Sequence, residues 1–568
     1  MLCCIKHMKV VWKGKNSMRK KKPAQSKQRD VHVVRWRRGN ASRMQPTAGS
    51  EKTKSKLQKK RRISLRAGLA VVGGRAAGAL SRRLHLGGGT SITGIVAQRV
   101  YPNIVGHLAA ELEHGSVVVT GTNGKTTTSG FIAAILRDAG LRVWHNREGS
   151  NLMGGVASTL IMRALPSGHL RGEGRAISIF EVDEAVVPQA VQAVPPRVAV
   201  FTNLFRDQLD RYGEVDSVAA RWRQAVETLP QSTTLVLNAD DPTIAHLGAS
   251  FRGQIHYFGI DDLALDLSTQ ENSTGRHQVI DTRTCPRCGS DYTYTVRLYS
   301  HMGHYICTNC GLARPQPDVR AVNVHPESFD RLRIQVAIAN QQHEVVIPLP
   351  GLYNIYNALA AITAAHALQI NWDALVSGIE QFKPVFGRGE RVQIEGRSVR
   401  LLLAKNPTGF NEVLRTLFSD GTTRHVLFVL NDNTADGRDV SWIWDVDFER
   451  AVGQTASLVV AGTRARDLAL RLKYAGVAER DMTIVTSSPL RAMKREAVGK
   501  RIKQGGKAFE QKTEAATPRR YGIAEALNEA VRQTPVGKTL FIVPTYTGLL
   551  ELHHELERRG LTPHYWEG

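Results

Sequence analysis

The chain has 568 residues, 42% hydrophobic and 22% charged, ordinary proportions for a soluble globular protein but too long for one core. Its net charge of +25 sits at one end: residues 1–90 carry 25 of the 76 Lys/Arg and 2 of the 51 Asp/Glu, leaving 51 basic against 49 acidic side chains elsewhere. A nearly neutral body speaks against a nucleic-acid-binding protein, no apolar run reaches the length of a membrane span, and no secretory signal is evident.

Residues 1–61 form a basic arm, with the runs Arg19–Lys22 and Lys59–Arg62. Its weak apolar pattern predicts disorder. Two readings stay open for it: attraction to anionic lipid headgroups or nucleic acid, and a solvated tail or upstream sequence from a misplaced start. With no disulfide framework among the six cysteines, the protein is expected to be cytoplasmic.

Ser64–Leu84 reads as a helix, closed by Gly87-Gly88-Gly89. From about 115 to 260, strand-like runs at Val117–Val119, Ala176–Phe180, Arg197–Phe201 and Thr234–Leu237 alternate with helical stretches, which predicts a doubly wound parallel sheet. Ligands in such sheets bind beyond the carboxyl ends of the strands, and the chemistry-bearing motifs fall there.

The first is Thr120–Ser129, TGTNGKTTTS, between an apolar strand and a helix. Gly121 and Gly124 let the backbone turn its N–H groups onto an anion, Lys125 supplies a charge for the β/γ oxygens of ATP, and the Thr126 hydroxyl can hold Mg²⁺. Thr122, Asn123 and Thr127 complete the cradle, although Val119 stands where the first Gly of GxxxxGK[ST] belongs. After the next strand, Glu181 is the expected Mg²⁺ ligand, ahead of Asp183 and Glu184. Thr202–Glu214 (TNLFRDQLDRYGE) and Leu237–Pro242 (LNADDP) close two further strands; Asn238 and Asp241 could meet adenine or ribose, or simply form an Asx turn.

Residues 281–317 interrupt the pattern with Cys285-x2-Cys288 and Cys307-x2-Cys310. Gly289 and Gly311 permit two knuckle turns, and four thiolates complete a closed tetrahedral Zn²⁺ site, a structural zinc ribbon. Helical periodicity returns at Tyr356–Leu368. A second α/β block begins near Arg397, with strands at Val399–Leu403, His425–Leu430, Ala456–Val460 and Thr539–Val543, and a polar surface insertion at Lys494–Arg519.

The ordered set GTNGKTTT, strand-end Glu, TNLFRDQLDRYGE, LNADDP and Gly351–Ala361 (GLYNIYNALAA) resembles the Mur ligase family, the ATP-dependent amide-forming enzymes of peptidoglycan and folate metabolism. The Cys4 insertion, Phe386–Glu390, Leu403–Phe410, Asn431–Asp445 and Pro544–Thr547 resemble its lipid II-amidating branch, over roughly residues 62–568. That likeness implies a central ATP-binding domain at 62–380 carrying the 281–317 ribbon, and a C-terminal α/β domain at 381–568. It implies an acyl phosphate made from ATP, the α-carboxyl of D-glutamate in the lipid II stem peptide as substrate, and ammonia from a GatD-like glutaminase subunit. Asn354 and Arg388 are then further nucleotide contacts. Asp436, Asp439 and Asp445 are where an acidic residue serving the partner's active site is sought, the bland reading being a solvated acidic loop. The lipid substrate places the protein at the inner face of the membrane.

Two departures from wider relatives are visible: Gln208 replaces a metal-binding His, and Asp216–Leu229 holds no Lys for carbamylation. Lys405-Asn406-Pro407 stands where relatives carry an Asp/His loop for the incoming amino acid, a pocket that an ammonia user does not need. Another Mur-type amino-acid ligase, and a zinc-ribbon P-loop nucleic-acid-binding protein, are the competing readings.

Overall fold

The computed structural model describes residues 65–84, 91–146, 150–171, 174–207, 215–267, 282, 284–383, 387–486 and 522–562. The basic arm, Gln208 with the rest of 208–214, Phe386 and the 494–519 insertion lie outside the described residues. Ile63–Gly568 forms one compact unit.

Eleven strands come first: β1 (Ser116–Thr120), β2 (Arg142–His145), β3 (Ala176–Glu181), β4 (Val198–Phe201), β5 (Thr234–Asn238), β6 (Gln254–Ile260), β7 (Thr293–Tyr299), β8 (Met302–Ile306), β9 (Val319–Ser328), β10 (Arg331–Ile338) and β11 (Gln341–Ile347). Nine of them form one sheet in the order β11-β10-β9-β6-β5-β4-β1-β3-β2. It is parallel from β2 through β9, and an antiparallel meander, β9 to β11, extends it. Alternation along β1 explains the two layers. Val117 and Val119 face a core shared with the helices Lys125–Asp138, Leu352–Ala367 and Trp372–Glu380. Val118 faces the opposite core, with Met153–Ile161, Val187–Ala193 and Val215–Glu227.

The second sheet holds β12 (Arg388–Ile394), β13 (Arg397–Leu402), β14 (Arg424–Val429), β15 (Thr455–Ala461), β16 (Met482–Ile484) and β17 (Thr539–Pro544) in the order β12-β13-β17-β14-β15-β16. Only the edge strand β12 runs antiparallel to its neighbour. The predicted strands of both blocks are therefore present within a residue or two. The helix expected from Tyr356 starts earlier, at Leu352, because Gly351 at φ 86° turns the chain into it.

β7 and β8 form a separate hairpin between the two CxxC pairs. Arg314, just past the second pair, anchors this insertion: its Nε lies 2.5 Å from Asp240 Oδ1 on the loop after β5. Asp240 also accepts from Tyr356 Oη at 2.7 Å and from the Ile260 amide at 2.8 Å. A fully buried carboxylate is thus satisfied from three sides, and the insertion is tied to the central sheet.

Candidate active site

The site forms where β1, β3, β4 and β5 end. Gly124, at φ 82°, ends the turn and starts the helix Lys125–Asp138. A Cβ there would sit 2.0 Å from Asn357 Oδ1, so only glycine fits. The loop is pinned from below: Asn203 accepts from the Asn123 amide with its side chain (2.8 Å) and from the Thr122 amide with its carbonyl (3.0 Å). Thr128 Oγ1 donates to Asn357 Oδ1 at 3.3 Å, and Asn357 Nδ2 donates to Asn354 Oδ1 at 3.0 Å. Asn354 therefore supports the loop from behind, through a buried amide pair, and its own Nδ2 donates to Pro350 O. Thr127 is buried in the first helical turn.

Lys125 is buried and folded back, donating to Gly121 O (2.5 Å), Thr122 O (3.3 Å) and Glu184 Oε1 (3.1 Å). Burial raises the Glu184 carboxyl above its usual range, although Lys125 and Lys405 pull the other way. Thr126 Oγ1 donates to Glu181 Oε1 at 3.0 Å. Two hard oxygen ligands thus adjoin a helix N-terminus, a donor set that suits Mg²⁺. Asp183 accepts from Ala185 N at 3.3 Å and from Asn151 Nδ2 at 3.4 Å, and its charge acts on Glu184 and Lys405.

The nucleotide contacts expected after β5 are engaged internally. Asn238 Nδ2 donates to Thr202 O and its Oδ1 accepts from Asp240 N. Asp241 caps the helix Pro242–His246, accepting from Thr243 N and Ile244 N, while its second oxygen accepts from Leu204 N. Arg388 opens β12, half-buried, with its charge acting on Tyr353.

The second sheet's loop closes over the phosphate loop. Asn406 caps the helix Pro407–Phe418 through Gly409 N (2.8 Å), and its amide is paired with that of Asn123 at 3.0 and 3.3 Å. Lys405 Nζ lies 2.5 Å from Asp207 Oδ2. Burial alone would lower the Lys405 ammonium; Asp207 and Glu184 outweigh it and raise it. Arg206 pairs with Asp445. No local signal in the sequence marks these cross-sheet partners: Lys405-Asn406-Pro407 shows there only as a replacement for the relatives' amino-acid loop.

The three aspartates of the 431–445 segment have different surroundings. Asp436 is buried, accepts from Thr547 N (2.8 Å) and Thr547 Oγ1, and is raised by burial. Asp439 is exposed and held low by Ser441 N and Oγ. Only Asp445 reaches the first sheet's loops among the contacts described, through Arg206.

His145 ends β2 with a buried Nε2 that has no hydrogen-bond partner among the described residues. Burial, with Arg137 and Arg163, pushes its ring down to about 4 against the opposing pull of Glu181. Between that value and 6.5 the unfolded chain binds the extra proton, so this stability is present above pH 6.5 and lost as the pH falls. At pH 5 the loss is about 2 kcal/mol relative to pH 7.5. In denaturant melts the parent is expected to lose about 2 kcal/mol more than His145→Gln between pH 7.5 and pH 5; parallel curves would contradict the assignment.

In the insertion, the four cysteine sulfurs lie within 4.8 Å of one another. Cys285 and Cys310 Sγ are 3.5 Å apart, Cys288 and Cys307 Sγ 3.4 Å. The two knuckles match: Gly289 N donates to Cys285 O and Gly311 N to Cys307 O, with both glycines at φ 74°. Four thiols at these separations could hold one tetrahedral ion with metal–sulfur bonds of about 2.3 Å, leaving no open position.

A phosphate-cradling loop carrying a lysine and a hydroxyl–carboxylate pair, at the carboxyl end of a parallel sheet, defines an ATP-using enzyme. Residues 119–313 match the Mur ligase middle domain and residues 403–503 the MurT ligase C-terminal domain. The chain is 34% identical over 428 residues to the lipid II isoglutaminyl synthase (glutamine-hydrolyzing) subunit MurT of Staphylococcus aureus (strain COL), spanning 74% of this chain and 91% of that protein. To the protein of the same name from Streptococcus pneumoniae (strain ATCC BAA-255 / R6) it is 32% identical over 415 residues, spanning 73% and 88%. Its fold is similar to a pseudomurein peptide ligase type C from Methanothermus fervidus, with TM-score 0.56, 24% identity and 80% of both chains covered. The chain belongs to the Mur ligase family, in its MurT branch, and is an ATP-dependent ligase of peptidoglycan synthesis.

Proposed function

We propose that the chain amidates the α-carboxyl of D-glutamate in the lipid II stem peptide, giving D-isoglutamine, with ammonia supplied by a GatD-like glutaminase subunit. The observation that carries the reading is the 34% identity across 91% of a MurT subunit whose name states that synthase activity and glutamine hydrolysis. The chain's own cysteines support a separate glutaminase, since four are gathered in the insertion and the others are Cys3 and Cys4 of the arm. A cysteine nucleophile needs an oriented histidine, which the sequence gives no sign of at either.

In the proposed reaction a carboxylate oxygen attacks the γ-phosphorus, the bond to the ADP oxygen breaks, and an acyl phosphate forms. Ammonia then attacks the acyl carbon, phosphate leaves, and a proton is lost from nitrogen. With the Thr122 and Asn123 amides held by Asn203, the N–H groups at the start of the helix, from Gly124 onward, meet the phosphates, and Lys125 swings from Glu184 onto the transferring oxygens. Thr126 and Glu181 would hold Mg²⁺, which supplies neutralisation of phosphate charge. Lys405 and Asn406, brought against the loop by their pairs with Asp207 and Asn123, position the acceptor side. Asn238, Asp241, Asn354 and Arg388 are assigned to shaping the nucleotide site, and Asp445, among Asp436, Asp439 and Asp445, is the acid best placed to couple it to the partner. The four cysteines would hold a structural Zn²⁺. In this reading residues 62–380 form the ATP-binding domain and 381–568 the C-terminal domain, and the protein works in the cytoplasm at the inner membrane face. Among the described residues no helix is long and apolar enough to cross a membrane.

The test is nitrogen-source dependence of lipid II-stimulated ADP release. Ammonium, or glutamine with the glutaminase partner, should support it, and free amino acids should not. Turnover with a single amino acid and none with ammonium would favour the amino-acid ligase reading instead.

A further inference from the structure

The helix Leu65–Arg83 is turned inside out relative to an ordinary surface helix. Its buried face is made of small residues, Ala67, Gly68, Ala70, Val71, Gly74, Gly78 and Ser81. Its large apolar residues point to solvent: Leu65 is 77% exposed, Leu69 65%, Val72 50% and Leu80 58%. With exposed Ala76 between them, these follow at spacings of four, three, four and four residues, which is one continuous stripe along a helix.

The cause lies in the packing. A Cβ on Gly68 would stand 2.5 Å from Pro166 O, on Gly74 2.6 Å from Thr93 O, and on Gly78 2.1 Å from Thr93 Oγ1. The helix Ile92–Val100, which carries Thr93, therefore approaches backbone to backbone, leaving no room for a leucine on that side. Arg75 fixes the rotation by donating to Met162 O (2.8 Å) and Ala164 O (2.6 Å). The leucines cannot roll inward.

We propose that this face lies on an anionic lipid bilayer, with its apolar stripe in the headgroup–acyl boundary and the helix in the membrane plane. Charge complementarity selects that occupant. Arg66 flanks the stripe at its start, and Arg82 and Arg83 at its end, all exposed. Residues 52–110 contain 12 Lys or Arg and no Asp or Glu. An apolar stripe on a helix whose only charged side chains are cations is the pattern of an interfacial helix, and cationic flanks add attraction to anionic headgroups. At 19 residues with no candidate span, the helix lies on the surface rather than crossing it.

This inference does not rest on the amidation reading, and its test contains no lipid II. The full chain is sedimented with vesicles of phosphatidylglycerol and phosphatidylcholine, and with phosphatidylcholine alone, at low salt and at about 0.3 M, where attraction by exposed charge is screened. The parent should partition to the anionic vesicles and retain part of that binding at high salt. Leu69→Gln with Leu80→Gln should lower the salt-resistant part by about tenfold, with melting temperature and ATP binding unchanged. The exposed Leu263→Gln should have no effect. Equal partitioning of parent and double variant would overturn the proposal. So would a parent dimer, seen by sedimentation velocity, that the double variant abolishes; the stripe would then be an interface between copies.

Discussion

Lys125→Ala should abolish ATP-dependent turnover, with a loss of at least about 10³-fold, the scale reached when one charged contact to a transferring phosphoryl group is removed. The structure also warns that this variant changes two things. Lys125 neutralises Glu184, both side chains are almost fully buried, and the carboxyl is already raised by that burial. Deleting one partner of a buried pair costs about 3 kcal/mol, because the other charge is left without compensation. A dead Lys125→Ala enzyme could therefore reflect a damaged fold. Adding Glu184→Gln separates the effects: the neutral amide should recover most of the stability while turnover stays absent. Activity returning with Glu184→Gln would show that Lys125 serves only to balance the acid.

Replacing Cys307 by Ser should have the second largest effect. Bound zinc should fall from roughly one ion per chain to none, since a closed Cys4 site lacks a spare ligand. Unfolding free energy should drop by on the order of 3–5 kcal/mol, because binding energy at a structural metal site is folding energy. The damage should not stay within the insertion. Arg314 lies four residues past Cys310 and reaches Asp240, which Tyr356 and Ile260 also hold. A loosened knuckle removes the cation from that buried acid, so early unfolding should extend to the loop after β5. Zinc content and chemical denaturation of the same preparation check both statements. A zinc-free Cys307→Ser of parental stability would contradict a structural role, and retained zinc would contradict the ligand set.

The elements that could be read from the sequence were those with uniform surroundings. Val117–Val119, Thr234–Leu237 and Thr539–Val543 are central parallel strands covered on both faces, so they appear as unbroken apolar runs. The β9–β11 meander went unread because its faces differ: Arg331, Gln335 and Gln341 face solvent between buried neighbours such as Ile334 and Val336. Within the site, the lysine, its threonine and the strand-end glutamate follow from local order, since loop, helix and strand end fix them. Pairings across the chain do not. Asn123 meets Asn406 over 283 residues, and nothing local to either marks the other. Asp241 shows the converse: a motif that admitted both a nucleotide contact and an Asx turn has both carboxylate oxygens accepting backbone N–H groups. The outward leucines of Leu65–Arg83 were legible as a helical pattern, but the glycine contacts that turn them outward were not.

The most direct test of the central claim is mass spectrometry of lipid II after incubation with the purified chain, ATP, Mg²⁺ and ammonium. In parallel, glutamine with the co-expressed glutaminase replaces ammonium. The account predicts that the stem-peptide D-glutamate carboxyl becomes an amide under both conditions, and that Lys125→Ala gives none. Unchanged lipid II with either nitrogen source, from a chain that still binds ATP, would contradict it.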